Sequence, residues 1–206
     1  LSTIARRVAI DLHRREASRW IPTFSTDSSM LFDRNTTLFG RDMVQSLEPR
    51  LLYVYTPFKP QSTLPVYDTA PKDFNEVSIY SDNDFTGIDR ISDLNELTAG
   101  ATTRFNDAIN GRELLRLGIA QRFLFRDQRI TPDGTPDSRK ISDLLLWGSS
   151  SMVRNWNFDG TLEFNPSSSW TQRAILSTRY SPGPYRTLSV TYRYARGSAA
   201  QTDTSG

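Results

Sequence analysis

The chain has 206 residues, 37% of them hydrophobic, and a formal net charge of +2 at pH 7. Arginine supplies nearly all of the positive charge, because the only lysines are Lys59, Lys72 and Lys140. So small a net charge creates little long-range field and argues against a typical nucleic-acid-binding module. The sequence contains no cysteine, which excludes a disulfide framework or a thiolate metal site within these residues.

Apolar runs are short throughout the sequence. The longest, at residues 51–55 and 144–147, fall far below the ~20 residues that a membrane-spanning helix requires, so helical spans are excluded. A low average hydrophobicity remains compatible with a membrane barrel, because only alternate residues of its strands face lipid. No basic and apolar signal segment begins at Leu1, and we therefore expect the chain to be an internal part of a longer precursor.

Strand patterns follow one another along the whole chain. Residues 115–123 and 187–194 alternate apolar and polar side chains with a period of two. In chain order, strands are predicted at residues 4–13, 20–32, 43–55, 96–106, 115–123, 140–152, 157–164, 170–180 and 187–194. Most span ~9 to 13 residues, which exceeds the ~5 to 6 usual in soluble sheets and suits tilted strands that cross a bilayer.

The connections between these strands alternate in length. Short turns are predicted at residues 107–111, 154–155 and 181–185, whereas residues 56–95 and 126–139 form long connections rich in Pro, Asp and Gly. Bacterial barrels have short periplasmic turns and longer outer loops, so residues 56–95 are expected to lie outside the cell. A structureless loop of this length would be unusual in a compact soluble fold.

The predicted fold class is therefore all-β, an antiparallel transmembrane β-barrel of which this chain forms a partial wall. About nine strands and one long extracellular loop, residues 56–95, make up that wall. Aromatic residues near many strand ends are typical of interfacial girdles. The alternative is a soluble β-sandwich that binds carbohydrate through the aromatic residues of the loop, because aromatic side chains favour any strand.

Three segments between residues 45 and 104 have a distinctive pattern: Leu47-Glu48-Pro49-Arg50, then Gln61-Ser62 with Leu64-Pro65, and then Gly87 with Asp89-Arg90. They resemble the motifs LEPR, DQS.LP and GLDR..D.NQ.T of the LptD family of lipopolysaccharide-assembly proteins. Two departures are Pro60, where the family usually has Asp, and Tyr67, where it often has Phe. The motif residues are Leu47, Glu48, Pro49, Arg50, Gln61, Ser62, Leu64, Pro65, Asp68, Gly87, Asp89, Arg90, Asp93 and Asn95. Pro49 cannot donate to a strand ladder and should mark a bulge or weakened pairing.

The resemblance implies that residues 1–206 belong to a single C-terminal barrel domain in the bacterial outer membrane. It implies a non-enzymatic translocon that delivers lipopolysaccharide to the cell surface, with the plug lipoprotein LptE and the periplasmic bridge protein LptA as partners. The family's N-terminal periplasmic domain, its disulfides and the first and last barrel strands are expected to lie outside these residues. No cofactor is implied.

Strand alternation assigns a set of arginines to the inside of the predicted barrel, where they avoid a lipid-face penalty of ~2–4 kcal/mol at the midplane. These are Arg50, Arg104, Arg116, Arg122, Arg173, Arg179 and Arg193. Their planar donor forks could contact the phosphates and acidic sugars of lipopolysaccharide. Alternatively, they pair with Glu48, Asp143, Glu163 and other acidic residues to stiffen the wall.

Neither metal binding nor catalysis has a clear motif. Four aspartates, Asp82, Asp84, Asp89 and Asp93, together with Asn83 and Asn95, could suggest calcium. They lack the spacing of a calcium-binding loop, and capping of the loop's own backbone by these Asp and Asn side chains is the favoured interpretation. The only histidine is His13, and no serine has a nucleophile context, so an outer-membrane hydrolase is a remote alternative. We predict no catalytic, cofactor or metal residues.

Overall fold

The computed structural model describes residues 5–15, 19–61, 67, 69–87, 89–131 and 134–196, with side chains from Ile21 onward. Ten strands and one short 3-10 helix, Ser78–Tyr80, make up its regular structure. The strands are β1 (Ala5–Arg15), β2 (Arg19–Ser29), β3 (Phe32–Leu38), β4 (Arg41–Tyr55), β5 (Asn95–Asp107), β6 (Glu113–Leu124), β7 (Leu144–Ser150), β8 (Trp156–Asn165), β9 (Trp170–Gly183) and β10 (Arg186–Ala195). In these described ranges, no helix is long and apolar enough to span a membrane.

All strands belong to one antiparallel sheet in which neighbours along the chain are neighbours in space. Its order is β1-β2-β4-β5-β6-β7-β8-β9-β10, with β3 paired beside β4. Within the described residues β1 and β10 are edges, so the sheet is open. The predicted all-β antiparallel fold, an open partial wall with about nine strand positions, is confirmed.

Strand β3 was not predicted as a separate element, and it continues the line of β2. Ser29 pairs with Arg50 and Phe32 pairs with Leu47, so β2 and β3 share one register along β4. The line is interrupted at residues 30–31, opposite Pro49. The Met30 N–H donates to the Pro49 carbonyl at 3.1 Å, but Pro49 has no N–H to return. The irregularity expected at Pro49 is thus a break in the ladder without a register shift.

The pairing register separates the sheet into two faces, because paired residues of an antiparallel sheet project to the same side. One, here called the polar face, bears the arginines together with acidic and hydroxyl side chains; for example, Arg104 pairs with Arg116 and Glu163 pairs with Arg173. The other, the apolar face, exposes large hydrophobic side chains. Its members include Phe24, Leu47, Leu51, Leu117, Ile119, Phe123, Phe158, Leu176, Leu188, Val190 and Tyr192.

Four of the short turns lie at one end of the sheet. A two-residue turn joins β3 to β4, and both of its residues have positive φ, 51° at Phe39 and 73° at Gly40. Such a turn matches the twist of paired strands. The connections at residues 108–112, 151–155 and 184–185 lie at the same end. Both long connections, residues 56–94 and 125–143, leave the opposite end, where the short turn at residues 166–169 also lies.

Candidate functional site: the covered polar face

The long loop, residues 56–94, has its own internal structure. A bridge between Pro71 and Phe85 brings its two halves together, and the Thr86 N–H donates to the Ala70 carbonyl at 2.8 Å. Beside it, the Lys72 N–H donates to the Asp84 carbonyl at 2.8 Å. The loop is therefore a folded hairpin that satisfies much of its own backbone and can pack as a unit.

The tip of the long loop packs onto the polar face. Ile79 is fully buried against Ala120, Leu145 and Trp147. Tyr80 lies over the backbone of Gly100, where an added Cβ would overlap its hydroxyl. Small residues at the centre of β5 and β6 thus create the space into which the loop inserts. Burial raises the pKa of the Tyr80 hydroxyl above its usual value, and this effect outweighs the opposing charge of Arg50.

Arg122 on β6 fastens this tip through its whole guanidinium group. Nε donates to the Ile79 carbonyl at 3.0 Å, Nη2 to the Ser78 carbonyl at 2.8 Å, and Nη1 to Asp84 Oδ1 at 2.6 Å. Its side chain is only 8% exposed, and Glu96 Oε1, also buried, lies 3.5 Å from Nε. The planar donor fork of arginine suits this arrangement, since one side chain binds two carbonyls and a carboxylate.

A second loop, residues 125–143, closes over the same end of the sheet. Asp93 is buried, and its Oδ1 accepts the N–H groups of Arg129 at 2.9 Å and of Ile130 at 2.8 Å. Gln128 donates to Glu96 Oε2 at 3.3 Å. The carboxylates of Asp93 and Glu96, at and just after the end of the long loop, therefore fix the second loop against the first.

Four further arginines of the predicted set make ion pairs along the polar face. Arg50 binds Asp27 at 2.6 Å and lies 4.4 Å from the centre of the Tyr80 ring. Arg104 binds Glu48 at 2.8 Å. The other two reach across the sheet and the loop: Arg116 lies 3.6 Å from both Glu76 and Glu113, and Arg173 binds Glu163 at 2.8 Å and the Phe74 carbonyl at 2.9 Å.

Arg179 on β9 and Arg193 on β10 differ from the other five arginines. They share the polar face through the register in which Arg179 pairs with Ser189 and Arg193 with Ile175. Both are exposed. In the part of the chain that the structure describes, neither side chain has a hydrogen bond or an ion pair. The polar face thus has a covered region with paired arginines and an open region with unpaired ones.

Most described motif residues serve the loop or its junction with the sheet. Gln61 exchanges hydrogen bonds with the backbone of Ile91, at 2.8 and 3.1 Å, and Asp89 accepts the Tyr67 N–H at 3.1 Å. Arg90 lies over the ring of Phe85, and Asn95 accepts a hydrogen bond from the Tyr53 hydroxyl. Gly87 has a positive φ, and Leu47 is exposed on the apolar face. Ser62, Leu64, Pro65 and Asp68 lie outside the described residues.

Sequence reasoning did not identify Ile79 or Tyr80 as site residues, whereas it did place Asn83 among the side chains expected to cap the backbone of the loop. Asn83 accepts the Ser92 N–H at 2.9 Å and donates to the Arg90 carbonyl at 3.1 Å, so it ties the end of the loop to its tip. An asparagine in a turn-rich segment is the available signal for such a role. Ile79 and Tyr80 lie in a stretch without periodicity, which gives no comparable signal.

The loop carboxylates have separate structural partners. Asp84 pairs with Arg122, Asp89 with a backbone N–H, and Asp93 with the second loop. Over the described residues, no group of three or more His, Asp or Glu side chains has a geometry that could hold a metal ion. The side chain of His13 lies outside the described residues.

Comparisons with known proteins identify the family. The model of the family described as LPS transport system D matches residues 10–206. The chain is 47% identical to the LPS-assembly protein LptD of Paracidovorax citrulli over 92% of its own length, and 43% identical to that of Ralstonia nicotianae over 92%. It spans about a quarter of these relatives, 23% and 24% of their lengths. The chain therefore belongs to the LptD family.

Proposed function

We propose that this chain is a section of the wall, with an inward-folded loop, of an outer-membrane barrel that assembles lipopolysaccharide at the cell surface. One observation supports this most directly: the long loop covers the polar face of the sheet while the opposite face exposes apolar side chains. A barrel with a polar interior, partly filled by one of its own outer loops, has this arrangement. The relatives' name, LPS-assembly protein, supports the cargo.

Exposure of the apolar face favours a membrane over the soluble alternative. Leu117 is 46% exposed, Leu176 57% and Val190 56%, and no other element of the described chain covers them. A soluble β-sandwich would bury this face against a second sheet. In a bilayer the same face contacts acyl chains, and exposure there has no hydrophobic cost.

The orientation of the wall follows from its two ends. The end with four short turns would face the periplasm, and the end with both long loops and the turn at residues 166–169 would face outside, as in other bacterial barrels. The long loop would then fold down from the outer surface into the lumen. From the family we also expect the lipoprotein LptE inside the barrel and LptA on the periplasmic side. The chain's own role is transport and structure, without catalysis or a cofactor.

Within this proposal the seven arginines have two roles. Arg50, Arg104, Arg116, Arg122 and Arg173 are held in ion pairs, so their role is to stiffen the wall and seat the loop. Arg179 and Arg193 are exposed and unpaired among the described residues, which leaves their donors available to phosphate groups on the cargo. A transit route benefits from weak contacts of this kind, because the cargo must also leave.

Adjacent residues on β10 provide the test. Thr191 projects to the polar face, since it pairs with Ser177, and Val190 projects to the apolar face. In cells whose full-length protein has a photoreactive amino acid at one of these positions, we expect lipopolysaccharide crosslinks at 191 and few at 190. Crosslinks at 190 alone, or survival with normal surface lipopolysaccharide after depletion of the protein, would refute the proposal.

A further inference from the structure

The apolar face of the sheet is not uniform, because two glycines lie side by side in it. Gly148 on β7 pairs with Gly160 on β8. Their neighbours in the same row are Leu117 and Leu176. The missing side chains leave a groove of about 480 Å³ between leucine walls, a volume within the ~300–1,000 Å³ typical of small-ligand sites.

The groove lies toward the short-turn end and is bordered there by an aromatic cluster. Phe158 lines it, and Trp156 stacks on Phe158 with ring centres 5.9 Å apart. Tyr180, which pairs with Trp156, is 4.7 Å from the same indole. Aromatic side chains of this kind concentrate at the level of lipid headgroups, so the groove runs from that level into the apolar layer.

Two unpaired cations stand beyond the aromatic cluster. Arg154 precedes Trp156 by two residues in the turn between β7 and β8, and Arg186 precedes Leu188 by two residues at the start of β10. Leu188 in turn pairs with Tyr180. Both arginines are exposed, and neither has a side-chain partner among the residues that the structure describes. Their charge complements a phosphate group.

We infer that this groove, with the aromatic cluster and Arg154 and Arg186, binds one anionic phospholipid on the outer surface of the wall, its acyl chain over Gly148 and Gly160. The inference rests on the proposed membrane location. A phospholipid is chosen over lipopolysaccharide because the groove is at the short-turn end, away from the long loops that face the cell surface. An acyl chain bound in the groove would supply van der Waals contacts to the leucine side chains beside Gly148 and Gly160, which otherwise lack them.

The test uses the full-length protein, with its partners, in bilayer discs. Phosphatidylglycerol or phosphatidylcholine with a photoreactive acyl chain is incorporated, and crosslinked peptides are mapped by mass spectrometry. We expect crosslinks to concentrate on Phe158, Leu176 and Val190, severalfold above Leu51 on the same face, and to be stronger with phosphatidylglycerol. Labelling that is even over the apolar face, or that unlabelled lipopolysaccharide competes away, would overturn the inference.

Variants separate the two parts of the site. Gly160→Leu fills the groove, since its Cβ would already touch the flexible end of Leu176 at 3.0 Å, and should reduce the local crosslinks severalfold. Ala174→Leu, which also adds a leucine side chain on the same face but outside the groove, should not. Arg154→Gln with Arg186→Gln should abolish the preference for phosphatidylglycerol, whereas Arg41→Gln with Arg112→Gln, at the same end of the sheet, should keep it.

Crosslinking of the unmodified protein distinguishes failure of the proposed function from failure of the lipid-site inference. If no lipid crosslinks to the apolar face at all, the proposed membrane function is wrong. If lipid crosslinks evenly, the face lies in the membrane but the groove is not a site.

Discussion

Arg122→Ala should release the tip of the long loop without unfolding the sheet. The substitution removes three hydrogen bonds, to Ile79, Ser78 and Asp84, and leaves the buried carboxylate of Glu96 without its cationic partner. Breaking a buried ion pair by removing one partner typically costs ~3–5 kcal/mol. The cost destabilises the state in which the loop is packed on the polar face. The fraction of molecules with a released loop should therefore rise ~100-fold to several thousand-fold.

Hydrogen exchange of the full-length protein in detergent measures this effect. Backbone amides of residues 75–86 should exchange faster by that factor, while amides of β5 and β6 should change little, since their ladder does not involve the loop. A triple variant, Arg122→Ala with Glu96→Gln and Asp84→Asn, also removes the two carboxylate charges left without a partner. It should recover part of the protection of the loop amides against exchange, because neutral side chains are less costly to bury.

Arg104→Ala is the matched control. Arg104 lies on the same face and pairs with Glu48, but both side chains are about one third exposed, 32% and 31%, and neither forms a hydrogen bond or an ion pair with the described loop tip, residues 78–80. A pair of this kind contributes ~0.2–1 kcal/mol, and its loss should leave loop exchange unchanged. The reasoning is refuted if Arg122→Ala exchanges like the unmodified protein, or if Arg104→Ala exposes the loop as strongly.

Three further predictions concern neighbouring features. Asp93→Ala should leave the N–H groups of Arg129 and Ile130 without their acceptor, at ~1–3 kcal/mol, and limited proteolysis should then cut residues 125–143 faster; equal cleavage rates would argue against this. Pro49→Val adds a donor opposite the Met30 carbonyl and should stabilise the ladder by ~0.5–1.5 kcal/mol, seen as slower amide exchange at residues 30–31; faster exchange there would contradict it. Arg179→Gln with Arg193→Gln should weaken the lipopolysaccharide crosslinks at position 191, whereas Arg154→Gln should not, and equal effects would disprove the assigned role.

The sequence predicts strands well where apolar and polar side chains alternate. It predicts them less well where the extended structure depends only on pairing with a neighbouring strand. In β3 the central residues Asp33 to Thr37 are all polar, so the sequence has no apolar period there. Its extended structure comes from pairing with β4 in the register that β2 begins. Strand β7 is shorter than predicted, Leu144–Ser150, because residues 140–143 take part in the second loop instead.

The covered site was predictable in its residues but not in its assembly. Alternation assigned Arg122 and Arg173 to one face, and the motif pointed to Asp93 and Gln61. Nothing in the sequence indicated that Ile79 would enter the space above Gly100 and Ala120, because that contact joins segments far apart in the chain. Such non-local packing depends on the whole sheet, and local propensity does not encode it.

The span of the long loop has a consequence for the order in which the protein folds. The loop contacts Arg50 on β4, Arg122 on β6, Trp147 on β7 and Arg173 on β9, and the last of these contacts, with Phe74, joins residues 99 apart in sequence. Contacts this distant form late. The loop can make all of these contacts only after β9 has paired with β8. The polar face therefore stays at least partly uncovered during folding until most of these strands are paired. Seating of the loop on the polar face therefore indicates that the strands from β4 to β9 have paired.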